Sequence, residues 1–177
     1  MEKPTEESLF LALCRAQKRQ RAAVVRHASV GEVFQYATAG KAGRAQHSVR
    51  RIDALVIKRN ASKGDVLWAV EIKVSASDLR SEIGDPGKTE AWAQYVNFFY
   101  FLVPPELLGL ALEIIPPQYG VMVGSNWCEI KRKARRNPSP LPLPLDTWRR
   151  LAGKLGEYQS REIVEGHKML RGARSVT

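Results

Sequence analysis

An α/β fold, with helices before and after a set of strands, is what the sequence predicts, and three observations carry that reading. Leu9, Phe10, Leu13 and Ala16 recur at helical spacing near the start. Residues 52–57 are nearly all apolar around one acid, Asp53, and residues 66–74 alternate strictly around Glu71 and Lys73, so both read as strands. The connection between them, residues 58–65, carries Asn60, Ser62 and Gly64 and is short enough for a hairpin, which makes the two strands antiparallel neighbours.

The first helix is expected to open after Pro4 and Thr5, with Glu6 and Glu7 in a first turn where carboxylates complement the helix dipole. Arg15, Lys18, Arg19, Arg21 and Arg26 follow without an acid, as suits a helix end facing phosphate or, equally, a solvated face. Residues 22–25 read as a short strand, and residues 37–48, rich in Ala, Gly and Lys, as a flexible loop. Beyond the second strand, Asp78 is expected to cap a short helical turn through Leu79 and Glu82, stopped by Gly84, Asp85, Pro86 and Gly87. Residues 89–97 are helix-compatible, residues 98–103 form an apolar aromatic run typical of a buried strand, and residues 119–123 and 127–133 read as further strands.

Alternating prolines across residues 138–145 remove backbone donors and favour an extended spacer. A main domain of residues 1–137 is therefore expected, then the spacer. Residues 146–177 follow as a helix capped by Asp146, carrying Trp148, Leu151, Ala152 and Leu155, with a loosely ordered tail from Gly166.

Composition narrows the function. A chain of 177 residues that is 44% hydrophobic suffices for one sizeable core, and 28 Lys and Arg against 18 Asp and Glu give a net charge of +10 that points to a polyanionic partner, nucleic acid first. Cys14 and Cys128 lack metal-ligand spacing, and His27, His47 and His167 lie far apart, so neither a disulfide framework nor a zinc site is expected. The acidic N-terminus does not read as an export signal, and Pro104 and Pro105 interrupt the most apolar stretch, so a cytoplasmic protein without a membrane span is expected.

The chemistry lies in the two central strands. Glu71 and Lys73, at i and i+2, share one face, while Val70, Ile72 and Val74 share the other. If residue 58 pairs with residue 66, Asp53 falls opposite Glu71, and two carboxylates facing each other across a sheet repel unless a cation lies between them. Mg2+ or Mn2+ suits two carboxylates, a backbone carbonyl such as that of Ile72, and waters that a phosphate oxygen replaces. Lys73 would lower the pKa of an attacking water or neutralise charge developing on phosphorus. An Asp53–Lys73 salt bridge is the plain structural alternative.

Asp53, followed on the next strand by Glu71-Ile72-Lys73, resembles the PD-(D/E)XK nuclease superfamily. The longer string from Glu71 to Glu82, Glu-Ile-Lys-Val-Ser-Ala-Ser-Asp-Leu-Arg-Ser-Glu, is similar to its MmcB-like branch of bacterial and phage DNA-repair proteins. The resemblance spans roughly residues 44–124, including Arg51-Ile52-Asp53-Ala54-Leu55, Asp85-Pro86-Gly87-Lys88 and Val103-Pro104; Ile52 stands where the naming proline would be. It implies a restriction-endonuclease-like mixed central sheet flanked by helices, with Asp53 and Glu71 as metal ligands and Lys73 as the catalytic lysine. Many members add a glutamate from the first helix, a role open to Glu6 or to Glu7.

The activity implied is hydrolysis of DNA phosphodiesters by an endonuclease of repair, recombination or phage replication. A non-catalytic DNA-binding module and an RNA-directed nuclease are the alternatives. Candidate phosphate contacts are Arg51, Lys88 and the cluster Lys131, Arg132, Lys133, Arg135 and Arg136. A homodimer is compatible with the sequence. Glu82 to Thr89 imitates a phosphate-binding P-loop, but Glu82 replaces its first glycine, so no nucleotide cofactor is expected. A clean Gln-x-x-x-Tyr exonuclease motif is absent, only Gln94 and Tyr95 standing adjacent.

Overall fold

The computed structural model describes residues 4–20, 22–34, 46–59 and 64–174. Six strands form one mixed sheet in the order β1-β2-β3-β4-β5-β6: β1 (Ala23–Phe34), β2 (Gln46–Lys58), β3 (Val66–Ile72), β4 (Phe98–Val103), β5 (Gly120–Gly124) and β6 (Cys128–Arg132). The two ends pair antiparallel, while β3, β4 and β5 run parallel. Parallel strands need crossovers, and these are helical: α2 (Ala76–Ile83) and α3 (Pro86–Ala93) join β3 to β4, and a 3-10 turn at Pro105–Leu107 with α4 (Leu108–Ile114) joins β4 to β5.

Helix α1 (Glu6–Lys18) covers one face of the sheet. Thr5 caps it by accepting from the Ser8 amide, and Leu9, Leu13 and Ala16 pack on Val56, Val70, Ile72 and Leu102. The other face carries Leu79 of α2, Trp92 of α3 and Ala111 of α4 over Leu55, Ala69, Phe99 and Phe101. Strands buried on both faces explain the nearly unbroken apolar runs of β3 and β4.

The expected hairpin register is the one observed: Lys58 pairs with Val66, and the ladder runs to Ala54 and Val70. Asp53 and Glu71 come next, just beyond the end of the ladder.

Several local expectations need correction. Strand β1 runs far beyond residues 22–25, and within it His27 adopts φ 51° and shifts the alternation by one residue. Val25, Ala28 and Val30 then share one core, a pattern that a single period of two cannot produce. In α2 the cap is Ser75, whose side chain accepts from the Asp78 amide; Asp78 lies inside the first turn. Helix α2 does stop at Gly84, but Pro86 and Gly87 belong to α3, which Pro86 opens in its first turn, where a missing N–H costs nothing.

A further correction concerns the Pro-rich stretch. Residues 133–144 are a strap: Arg135 and Gln118, Asn137 and Asn97, and Leu141 and Gln94 are joined by backbone hydrogen bonds. Leu143 and, on helix α5 (Leu145–Arg174), Leu151 are buried in the same core as Leu79 and Trp92. Helix α5 starts at Leu145, with Asp146 in its first turn, and continues past Gly166. The loop expected at residues 37–48 falls mostly outside the described residues, although residues 46–48 belong to β2.

Candidate active site

The side chains of interest meet at the edge where β2 and β3 part. A cleft of about 560 Å3 opens there, and Glu6, Arg50, Arg51, Asp53, Glu71, Ile72, Lys73, Glu82 and Lys88 are among its lining residues. Strand β2 delivers Arg51 and Asp53, β3 delivers Glu71 and leads into Lys73, and α1, α2 and α3 contribute Glu6, Glu82 and Lys88 respectively.

Asp53 does not pair with Lys73 as the plain structural alternative would have it. Its Oδ2 accepts the backbone N–H of Ile72 at 2.8 Å. Lys73 Nζ instead donates to Glu71 Oε1 at 2.6 Å and lies 3.1 Å from Glu82 Oε2, all three side chains being largely buried.

Glu71 is pushed up to about 7, first by burial and then by the charge of Asp53, with Lys73 offsetting only part of this. Asp53 is also raised, by burial, against the Ile72 amide and the charge of Lys73. Burial alone would lower Lys73, but the carboxylates of Glu71 and Glu82 outweigh it and hold the ammonium above its ordinary value. Two raised carboxyls beside an ammonium that keeps its proton form a site short of positive charge.

A second group of donors adjoins the first. One ligand atom each from Glu6, His27 and Asp53 lie within 4.8 Å of one another. His27 Nε2 is 3.3 Å from Glu6 Oε1, and Arg26 Nη2 is 3.4 Å from the same oxygen. Burial raises the Glu6 carboxyl, yet hydrogen bonds with His27 and Arg26 bring it below its ordinary value. Glu7 pairs with Arg26 as well, and of the two acids it is Glu6 that contacts His27 and lines the cleft.

These donors fit a divalent cation. Asp53 and Glu71 supply hard carboxylate oxygens to the cleft, and His27 adds an imidazole nitrogen suited to Mn2+ more than to Mg2+.

His27 and Glu82 were not among the sequence-derived candidates. For His27 the only signal was a histidine inside an apolar run; for Glu82 it was an acid on a short helix whose other buried residue is Leu79.

The basic residues divide. Arg51 and Lys88, with Arg50, line the cleft. Residues 131–136 do not, because β6 is the far edge of the sheet. Arg132 is a structural clamp: its guanidinium donates to the carbonyls of Ile115 at 2.8 Å, Pro116 at 3.1 Å, and Leu112 and Tyr119 each at 3.2 Å. Lys131 pairs with Glu129 at 2.6 Å, while Arg135 and Arg136 line a separate pocket of about 240 Å3 with Val96, Phe99 and Tyr119.

The earlier basic run divides as well. Arg15 donates to the Asn126 carbonyl, Arg19 stacks over Trp127 and Arg26 pairs with Glu6 and Glu7; Arg21 lies outside the described residues.

This division carries an expected result. Arg132→Ala should destabilise the fold by about 2–4 kcal/mol, because it strips a cationic donor from several carbonyls at once. A combined Lys133, Arg135 and Arg136 to Ala variant should leave the melting temperature nearly unchanged, and thermal melts of the two proteins decide the matter.

No family model matches the chain, and no curated protein does. Among solved structures, a protein of unknown function from Silicibacter pomeroyi is similar in fold, with a TM-score of 0.56 and 17% identity over 92% of this chain and 91% of that one. At that identity the likeness speaks to the fold, a mixed sheet flanked by helices. No helix among the described residues is long and apolar enough to cross a membrane.

Proposed function

We propose that this chain is a metal-dependent nuclease of the PD-(D/E)XK type that hydrolyses DNA phosphodiesters, acting as an endonuclease in repair, recombination or phage replication. The observation that carries this reading is the meeting of Asp53, Glu71 and Lys73 in one cleft edged by the cationic side chains of Arg50, Arg51 and Lys88.

Asp53, Glu71 and the Ile72 carbonyl, with Glu6 and His27 on the α1 side, are the groups that would hold Mg2+ or Mn2+. When bound, such an ion lowers the pKa of a coordinated water and draws charge from a phosphate oxygen.

The chain's own residues supply the rest. Arg50, Arg51 and Lys88 attract and orient the phosphate backbone, a contact that is blind to base identity and weakens with added salt. Lys73 stays an ammonium, which suits it to neutralise charge developing on the phosphate oxygens and unsuits it as a general base. Glu71 and Glu82 fix its position from two sides.

Incubation with supercoiled, linear, single-stranded and branched DNA, and with RNA, in Mg2+, Mn2+ or EDTA tests the proposal. Cleavage of DNA that EDTA abolishes is expected. Binding without cleavage under every metal condition would replace the enzyme with a binding module of the same fold, and cleavage confined to RNA would change the substrate.

A further inference from the structure

Helix α5 reaches the site through one side chain. Lys154 Nζ donates to the backbone carbonyl of Arg26 at 3.1 Å and also to that of His27. In a regular strand successive carbonyls point to opposite sides, so a single ammonium does not reach two in a row. Here it does, because His27 is the one described non-glycine residue with positive φ, 51°.

The same kink matters to the cleft. It interrupts the alternation of β1 opposite Asp53, between the pairs Arg26–Ala54 and Ala28–Ile52. The imidazole is thereby placed beside Glu6 and Asp53 while Val25 and Ala28 both stay in the core. Non-glycine residues enter this backbone region rarely and need their surroundings to hold them there. Lys154 is well placed to do so, since Leu151, one turn earlier on α5, is buried at 2% exposure and anchors the helix on the sheet.

We propose that Lys154 is a positioning residue for the cation site: by clamping the carbonyls of Arg26 and His27 it holds the β1 kink that aims the His27 imidazole at Glu6 and Asp53. Helix α5 is then part of the functional unit, although its sequence lies beyond a Pro-rich stretch. This rests on the reading of the cleft as a divalent-cation site.

Calorimetric titration of the full-length, metal-free protein with Mn2+ tests it, on wild type, Lys154→Met, Lys154→Arg, His27→Ala and the His27→Ala/Lys154→Met double variant. Lys154→Met should weaken Mn2+ binding about 10-fold, within the range for groups that orient metal ligands from behind. Lys154→Arg, which keeps a cationic donor, should recover most of the loss. On the His27→Ala background the Lys154 substitution should cost nothing further, because its route to the metal is already gone.

Equal Mn2+ affinity in wild type and Lys154→Met overturns the proposal. So does an equal fold-loss with and without His27, the signature of a general structural role. Cleavage assays keep the two readings apart: Mn2+ affinity that depends on Lys154 in a protein that cuts no nucleic acid leaves this proposal standing and removes the nuclease. Metal-dependent cleavage with Mn2+ affinity indifferent to Lys154 does the reverse.

Discussion

Asp53→Asn is expected to abolish cleavage, and Lys73→Ala to lower kcat by about 100- to 1000-fold, by two separable routes. The carboxylate of Asp53 belongs to both donor groups, since it lies beside Glu6 and His27 and its charge acts on Glu71. A neutral amide at that position removes the shared anionic ligand, so metal binding and activity should disappear together. Lys73 is held by Glu71 and Glu82 and contributes chiefly where negative charge grows during attack on phosphorus, so its loss should spare much of the affinity for Mn2+ and DNA. Metal calorimetry and DNA binding run beside single-turnover cleavage make the distinction. A Lys73→Ala variant whose DNA and metal binding fell in proportion to its activity would mark the lysine as structural support.

The centre of the fold was legible because its signals are local and periodic. Two apolar runs, one broken by Asp53 and the other leading into Glu71 and Lys73, gave both strands, and a short polar connection gave their register, which runs to Ala54 and Val70, next to Asp53 and Glu71. What escaped the sequence was whatever depends on contacts distant along the chain. The His27 kink puts the halves of β1 out of phase, so periodicity reported only the first half. The strap over residues 133–144 looks like a linker because its hydrogen bonds go to Gln94, Asn97 and Gln118, which no local pattern reveals.

The candidate site shows the same division. Asp53, Glu71 and Lys73 are separated by a hairpin, and strand geometry alone brings them to one place. Glu6 reached the list through helical spacing and family resemblance; both it and Glu7 pair with Arg26, and only the contact with His27 and its place in the cleft wall, seen in three dimensions, separate it from Glu7. Charge runs were the poorest guide. Residues 131–136 are one basic block in sequence, yet Arg132 turns inward to carbonyls while Arg135 and Arg136 border a pocket away from the cleft's acids. A count of positive residues does not distinguish a phosphate contact from a carbonyl clamp.

The acids of the cleft should also be a burden on folding when no metal is bound, and Glu71→Gln is expected to raise the melting temperature of the metal-free protein by about 5–10 °C near pH 8. Folding raises the Glu71 carboxyl from its ordinary 4.5 to about 7. Between those values the folded protein keeps a proton that the unfolded chain has released, so stability falls as pH rises through the window and stays low above it. The raised Asp53 carboxyl acts in the same direction. The Glu71 shift alone corresponds to about 3 kcal/mol at neutral to alkaline pH. A neutral amide escapes that cost, and its oxygen still accepts from Lys73.

The gain should shrink towards zero by about pH 4, where the carboxyl is protonated in the folded protein and largely so in the unfolded chain. Saturating Mn2+ should stabilise wild type far more than the variant, because binding to the folded state supplies the missing positive charge. Thermal melts across pH, with and without Mn2+, give the answer. A Glu71→Gln protein less stable than wild type at pH 8 would mean that the Glu71–Lys73 pair is there to hold the fold together, and a carboxylate kept at a cost to stability would no longer be the mark of this cleft.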